Sequence, residues 1–243
     1  MDLPGFWGQL GAAEHDALIA VARIRVFPAG SVLCTEGEPT THVFVLLSGW
    51  VKCVTVTHDG REILEALRSE GDVIGEIAGQ VTGYRTATVR AVGAVDALIA
   101  GTRQFGDFLD AHPAAARAYR RYMAQRHRAA NEQQRAHALS SGARRLACLL
   151  LDLAEQQARA DDGTVTTAPP PLSQEELASL IGASRSTVTR ALRDWRSRHI
   201  IGTDPRRIQI LDRARLLRIA GRARQESLSP GGNPVIVLKA PQE

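Results

Sequence analysis

Cysteine is scarce in this 243-residue chain: Cys34, Cys53 and Cys148 are the only three, and they are widely spaced. There is no CxxC pair. That argues against a zinc or iron–sulfur site built from cysteine and against a disulfide framework, and leaves three semi-buried thiols. No window approaches eighteen uninterrupted apolar residues, so no transmembrane helix is expected. Met1-Asp2-Leu3-Pro4-Gly5 lacks the basic start and apolar core of a signal peptide, so the chain is expected to stay in the cytoplasm, away from membranes. Convincing Gly-rich loops and paired carboxylates are missing. No Ser-His-Asp set or metal constellation can be placed, which points away from an enzyme. His15, His42, His58, His112, His127, His137 and His199 are scattered as surface histidines would be, and no metal is expected.

What is present is ordinary for a globular protein: 44% hydrophobic and 23% charged residues. The net charge of +4 permits a polyanionic partner without demanding one. Its distribution is uneven. Arg117, Arg120, Arg121, Arg126, Arg128, Arg135, Arg144 and Arg145 crowd one stretch, a second arginine cluster spans 185–224, and the first hundred residues are nearer neutral. A sensor domain followed by a nucleic-acid module would show this shift.

Residues 24–100 read as short strands. Ile24–Phe27, Val43–Leu47, Val51–Thr57, Glu62–Leu67, Ala87–Ala91 and Val95–Ala100 are punctuated by turn signals, among them Asp59-Gly60. A small barrel or sandwich follows from that spacing. From Pro113 to Leu139 there is no further proline and no glycine, which predicts one long helix. Its apolar stripe, Ala116, Tyr119, Met123 and Ala130, is narrow. That suits a coiled-coil seam, with packing on the chain's own barrel as the other reading. Ser140-Ser141-Gly142 breaks this helix. A second one follows with Leu146, Leu149, Leu150 and Leu153 on one face, then a loop from Asp161 to Pro171. The tail 226–243, with three prolines and two adjacent glycines, is expected to be largely disordered.

The most informative stretch is 172–199. Ser173, with Glu176 three residues on, forms a capping box, and Leu177, Ala178 and Ile181 form an inward face. Gly182-Ala183-Ser184 supplies a tight turn, and Ser184 caps a second helix with Val188, Leu192 and Trp195 inward. This is the helix-turn-helix pattern. Arg185, Ser186, Thr189 and Arg190 fall on the exposed first turns that would meet base edges, and Ser173, Gln174, Ser184 and Thr187 are placed for phosphates. Ile200–Thr203 and Arg207–Leu211 read as a two-stranded wing.

The segments Gly71-Asp72-Val73-Ile74-Gly75-Glu76-Ile77 and Arg85-Thr86-Ala87-Thr88-Val89-Arg90-Ala91 resemble the phosphate-binding cassette of cyclic-nucleotide-binding domains. With the long helix and Gly182-Ala183-Ser184-Arg185-Ser186-Thr187-Val188-Thr189-Arg190, the chain resembles the Crp/Fnr family of bacterial transcription regulators over about residues 15–215. The resemblance implies an α+β fold. It comprises a cyclic-nucleotide-binding β-roll over 1–112, a dimerisation helix over 113–139 and a winged helix-turn-helix over 140–225. It also implies a homodimer that binds double-stranded, near-palindromic DNA, with RNA polymerase as a further partner.

In the cassette, Arg85 would pair with a cyclic phosphate, Thr86 and backbone N–H groups from Gly75 to Ile77 would add donors, and Glu76 would accept from a ribose hydroxyl. A Glu76–Arg85 ion pair inside an empty barrel is the other reading. Two departures from the family's best-known cyclic-AMP receptor matter. Its base-reading Thr-Ser pair is replaced by Ala130-Asn131, which leaves Asn131 as the donor and leaves the ligand open between cyclic AMP, a related nucleotide, and none. Its recognition-helix glutamate is replaced by Ser186, which predicts a different or relaxed operator at that base pair. The cysteine cluster of the iron–sulfur branch is absent. A nucleotide-binding module acting only through protein partners stays as an alternative.

Overall fold

The computed structural model describes residues 5–76, 83–161, 170–204, 207–222 and 235–237. The chain divides into two compact units, Met1–Ala130 and Asn131–Glu243.

In the first unit, helix α1 (Ala12–Val21) precedes strands β1 (Arg23–Phe27), β2 (Val32–Cys34), β3 (His42–Ser48), β4 (Trp50–Val56), β5 (Glu62–Ser69), β6 (Val73–Ile74), β7 (Thr88–Ala91) and β8 (Val95–Gly101). They form two antiparallel four-stranded sheets, ordered β1-β8-β3-β6 and β2-β7-β4-β5. Strand β3 shows why its sequence is a continuous apolar run. Phe44 and Leu46 join one buried cluster with Phe27, Val51, Val89 and Val95. Val43 and Val45, on the alternate face, join a second cluster with Phe6, Leu18, Phe105, Phe108 and Tyr119. At Asp59-Gly60 the chain turns from β4 to β5, with Gly60 at φ +79° and Thr57 N–H bonded to Arg61 O at 3.0 Å. Strands β2 and β6 and helix α1 were not anticipated. The two strands are three and two residues long, too short to show a period, and the apolar residues of α1 are spread around the helix without the periodicity of one face.

Helix α2 (Thr102–Ala111) leads into α3 (Pro113–Leu139), which runs uninterrupted as expected. The seam assignment needs correction. Tyr119 is buried with Ala115, Ala118 and Tyr122 in the first unit's own core, and Met123 packs against that cluster. The unit boundary therefore falls inside α3 and not at either end, because its first half is a core helix of the β-roll. Ala130 is exposed, as is Leu139 at 83%.

In the second unit, α4 (Gly142–Asp161) follows the Ser140-Ser141 break and buries Leu146, Leu150 and Leu153 together with Ala147, Leu151 and Ala154. Helices α5 (Gln174–Leu180) and α6 (Arg185–Ser197) follow, then strands β9 (Ile201–Asp204) and β10 (Arg207–Ile210) as an antiparallel hairpin, and α7 (Arg213–Ala220). The predicted loop of 161–171 lies mostly outside the described residues. So does the tail, except that β11 (Val235–Val237) pairs with β10. There the β-branched run Val-Ile-Val extends the wing to three strands inside a stretch expected to lack order.

Candidate ligand pocket and DNA-reading surface

Gly75 follows strand β6, and its φ of +84° favours glycine. The position is constrained twice, since a Cβ there would lie 1.8 Å from Arg85 Nη1. Arg85 is 4% exposed. Its Nη2 donates to His42 O at 2.7 Å and its guanidinium lies 5.6 Å from the centroid of the Phe44 ring. Nη1 is buried with no hydrogen-bond partner among the described residues. A buried guanidinium nitrogen left without an acceptor is costly, and an anion is the group that would satisfy it. Burial, Arg85 and Arg25 together hold the His42 imidazole below its usual range, so it stays neutral beside that cation.

Glu76, also 4% exposed, does not pair with Arg85. Its Oε1 accepts from Arg126 Nη1, which reaches in from α3 and also donates to Val73 O at 3.3 Å. One turn earlier on α3, Tyr122 Oη accepts from Val73 N–H and donates to Asp72 Oδ1, both at 3.0 Å. Burial, with Asp72 beside it, pushes the Tyr122 hydroxyl far up, so it acts as a neutral donor. Burial opposes charge on Arg126, but Glu76, Tyr122 and Asp72 outweigh it and keep it protonated. Sequence reasoning missed Tyr122 and Arg126. Their i, i+4 spacing on the face that carries Ala115, Ala118 and Tyr119 is the signal that would have found them. Thr86 is exposed, Ile77 lies outside the described residues, and Asn131 falls in the second unit.

The β-roll also holds two thiols on the strands that flank β7, Cys34 on β2 and Cys53 on β4, each in register with Val89. Burial pushes Cys53 up to about 11. At pH 8 only about one molecule in a thousand would carry the thiolate there. Iodoacetamide is therefore expected to label Cys53 slowly in the native protein and rapidly in urea, as read by mass spectrometry. Fast native labelling would contradict the burial.

The second surface is built on the helix-turn-helix. Ser173 Oγ accepts from Glu176 N–H at 3.1 Å and Glu176 Oε2 accepts from Ser173 N–H at 2.7 Å, closing the expected capping box. Gly182 turns the chain at φ +57°, and Ser184 Oγ accepts from Thr187 N–H at 3.2 Å to start α6. Leu177, Ala178, Ile181, Val188, Ala191, Leu192 and Trp195 are buried beneath. Arg185, Ser186 and Arg190 are exposed, and Ser184 Oγ also bonds the hydroxyls of Ser186 and Thr187. Thr189 is less free than expected: the single proton of its hydroxyl has two acceptors within reach, Gln174 Oε1 at 2.7 Å and Arg185 O at 3.0 Å.

Arg145, on α4, is an unforeseen organiser of this unit. It donates to Ile181 O at 2.7 Å, to Gly182 O at 3.0 Å, to His137 O at 3.3 Å and to Ser140 O. One guanidinium thus ties the end of α3 to the turn before α6. Five fixed N–H groups make arginine suited to this work, and lysine is not an equivalent.

Residues 24–112 match the family described as cyclic nucleotide-binding domain, and residues 144–219 match the Crp-like helix-turn-helix domain. The chain is 31% identical over 194 residues, 80% of its length, to the CRP-like cAMP-activated global transcriptional regulator of Mycobacterium tuberculosis, covering 86% of that protein. This chain is a transcription regulator of the Crp/Fnr family. Its fold matches that of a CRP-family transcriptional regulator of Thermus thermophilus at 25% identity and a TM-score of 0.66, covering 81% of this chain and 96% of that one. The c-di-GMP-responsive regulator CLP of Xanthomonas campestris shares the fold at 18% identity and a TM-score of 0.64, covering 80% and 96%. DNA binding by the helix-turn-helix follows from the family. Among the described residues no helix is long and apolar enough to cross a membrane, and no cluster of three or more candidate metal ligands occurs.

Proposed function

We propose that this regulator binds a near-palindromic DNA site as a homodimer and is gated by a cyclic nucleotide in the β-roll. The observation that carries the ligand reading is the buried, unpartnered Nη1 of Arg85 beside Gly75, where a cyclic phosphate monoanion would find its charge-assisted bonds. Backbone donors from Gly75 to Ile77 and the Thr86 hydroxyl would complete the phosphate's partners. Arg126 occupies Glu76 Oε1, which leaves Oε2 for a ribose hydroxyl. Asn131 on α3 is the donor that would meet a base. The ligand is cyclic AMP or a related nucleotide. The M. tuberculosis relative is cAMP-activated by name and the CLP regulator c-di-GMP-responsive, so members of one fold accept different nucleotides.

The exposed side of α3, including Ala130 and Leu139, would pair with a second copy, and the two α6 helices would enter successive major grooves. A nucleotide that contacts both the cassette and α3 would bias DNA binding through its differential affinity for two states. RNA polymerase would be the partner through which the bound dimer acts, and the cytoplasm its place of action.

Calorimetry with cyclic AMP, cyclic GMP and c-di-GMP tests the gate. Heat from one of them, abolished by Arg85→Ala, is the expected result. Absence of heat from all three would leave a ligand-independent regulator. In mobility-shift titrations Arg190→Ala is expected to cost roughly 1–3 kcal/mol and to relax preference at one base pair. Unchanged binding would remove Arg190 from the reading surface.

A further inference from the structure

The reading arginine at the start of α6 is held from α5. Arg185 Nη1 donates to Glu175 Oε1 at 3.2 Å, and both side chains are exposed. The contact joins the first turns of two different helices, and it is repeated beside itself, where Gln174 Oε1 accepts from Thr189 at 2.7 Å. Two consecutive residues of α5 thus each hold one of a pair, four residues apart, on the outer face of α6.

An exposed ion pair contributes little to stability, so folding does not explain why a carboxylate stands here. The helix N-terminus tolerates it electrostatically. Against DNA it is a liability, because a negative charge on a phosphate-facing surface weakens binding to every sequence alike. The guanidinium has two donor edges, however. A contact through Nη1 leaves the Nε–Nη2 edge unobstructed, and two N–H groups on one edge are what guanine O6 and N7 require. Arg185 also has four rotatable side-chain bonds to order on binding, and a pre-set orientation lowers that cost for the one geometry it favours.

We infer that Glu175 is a positioning residue for base reading: it aims Arg185 and suppresses sequence-independent affinity, exchanging tightness for discrimination. This rests on Arg185 being a base reader. The test uses the full-length protein and an operator selected in vitro on it, with fluorescence anisotropy on that duplex, on duplexes with each half-site guanine replaced in turn, and on a scrambled duplex. Glu175→Ala is expected to bind the scrambled duplex about three- to fivefold more tightly, with a steeper salt dependence. It should lose about three- to fivefold of the preference at one guanine, with thermal unfolding unchanged. Retention of the full guanine preference in Glu175→Ala, while Arg185→Ala abolishes it, overturns the inference and spares the reading of Arg185. An Arg185→Ala variant that keeps every guanine preference overturns both.

Discussion

Trp195→Ala is expected to destabilise the second unit by about 3–5 kcal/mol, a large share of the total stability of a small domain. Trp195 is 2% exposed and lies on the inward face of α6 with Val188, Ala191 and Leu192. Its carbonyl also accepts from Ile200 N–H at 2.9 Å at the entry to the wing. Truncation removes the largest apolar group under the reading surface, and the two short helices α5 and α6 have too little local propensity to survive without it. Scanning calorimetry should show the transition of the DNA-binding unit moving down while that of the β-roll stays, with DNA binding lost first. Leu211→Ala, at a side chain 41% exposed, is the comparison and should shift the same transition by no more than about 0.5 kcal/mol. Similar shifts for both would mean that the interior of this unit is not organised around α6.

Arg126→Ala is expected to cost the β-roll about 3 kcal/mol. The Arg126 side chain is 23% exposed and that of Glu76 is 4%, so removing the arginine strands a buried carboxylate. Breaking buried pairs costs about 3–5 kcal/mol, and partial access of Arg126 to water puts this one at the lower end. The Val73 carbonyl loses a donor as well. Glu76→Gln introduced on the Arg126→Ala background should recover a good part of the loss, because a neutral amide is cheaper to bury than a charge. Urea unfolding of the wild type, both single variants and the double variant measures the coupling, expected at about 1–3 kcal/mol. Strict additivity would mean that the two side chains do not share an interaction.

The helix-turn-helix was legible nearly residue by residue. Its signals act over three or four positions: Ser173 with Glu176, Ser184 with Thr187, Gly182 at the turn, and Leu177, Ala178, Ile181, Val188, Leu192 and Trp195 at helical spacing. Interactions of such short range leave their mark in the order of the residues. The uninterrupted run of α3 was legible for the same reason, as was the Asp59-Gly60 turn. The cassette was recognisable from its residues, and residues 24–112 match the cyclic nucleotide-binding domain family.

What each of these groups touches was another matter. Glu76 was read as the acceptor of a ribose hydroxyl, or else as the partner of Arg85, and it meets Arg126, fifty residues along the chain. Thr189 was read as a free reader, and its hydroxyl is engaged by Gln174. The apolar stripe of α3 was read as a seam, with packing on the chain's own barrel as the other reading, and Tyr119 and Met123 follow the second. The sequence by itself determined the elements and the residue types at the two candidate sites, because capping, turns and periodicity are local. Tertiary structure alone decided the pairing of Arg126 with Glu76, the grip of Arg145 on four carbonyls and the hold of Glu175 on Arg185. A long charged side chain can reach many acceptors, and only the closing of the fold selects among them.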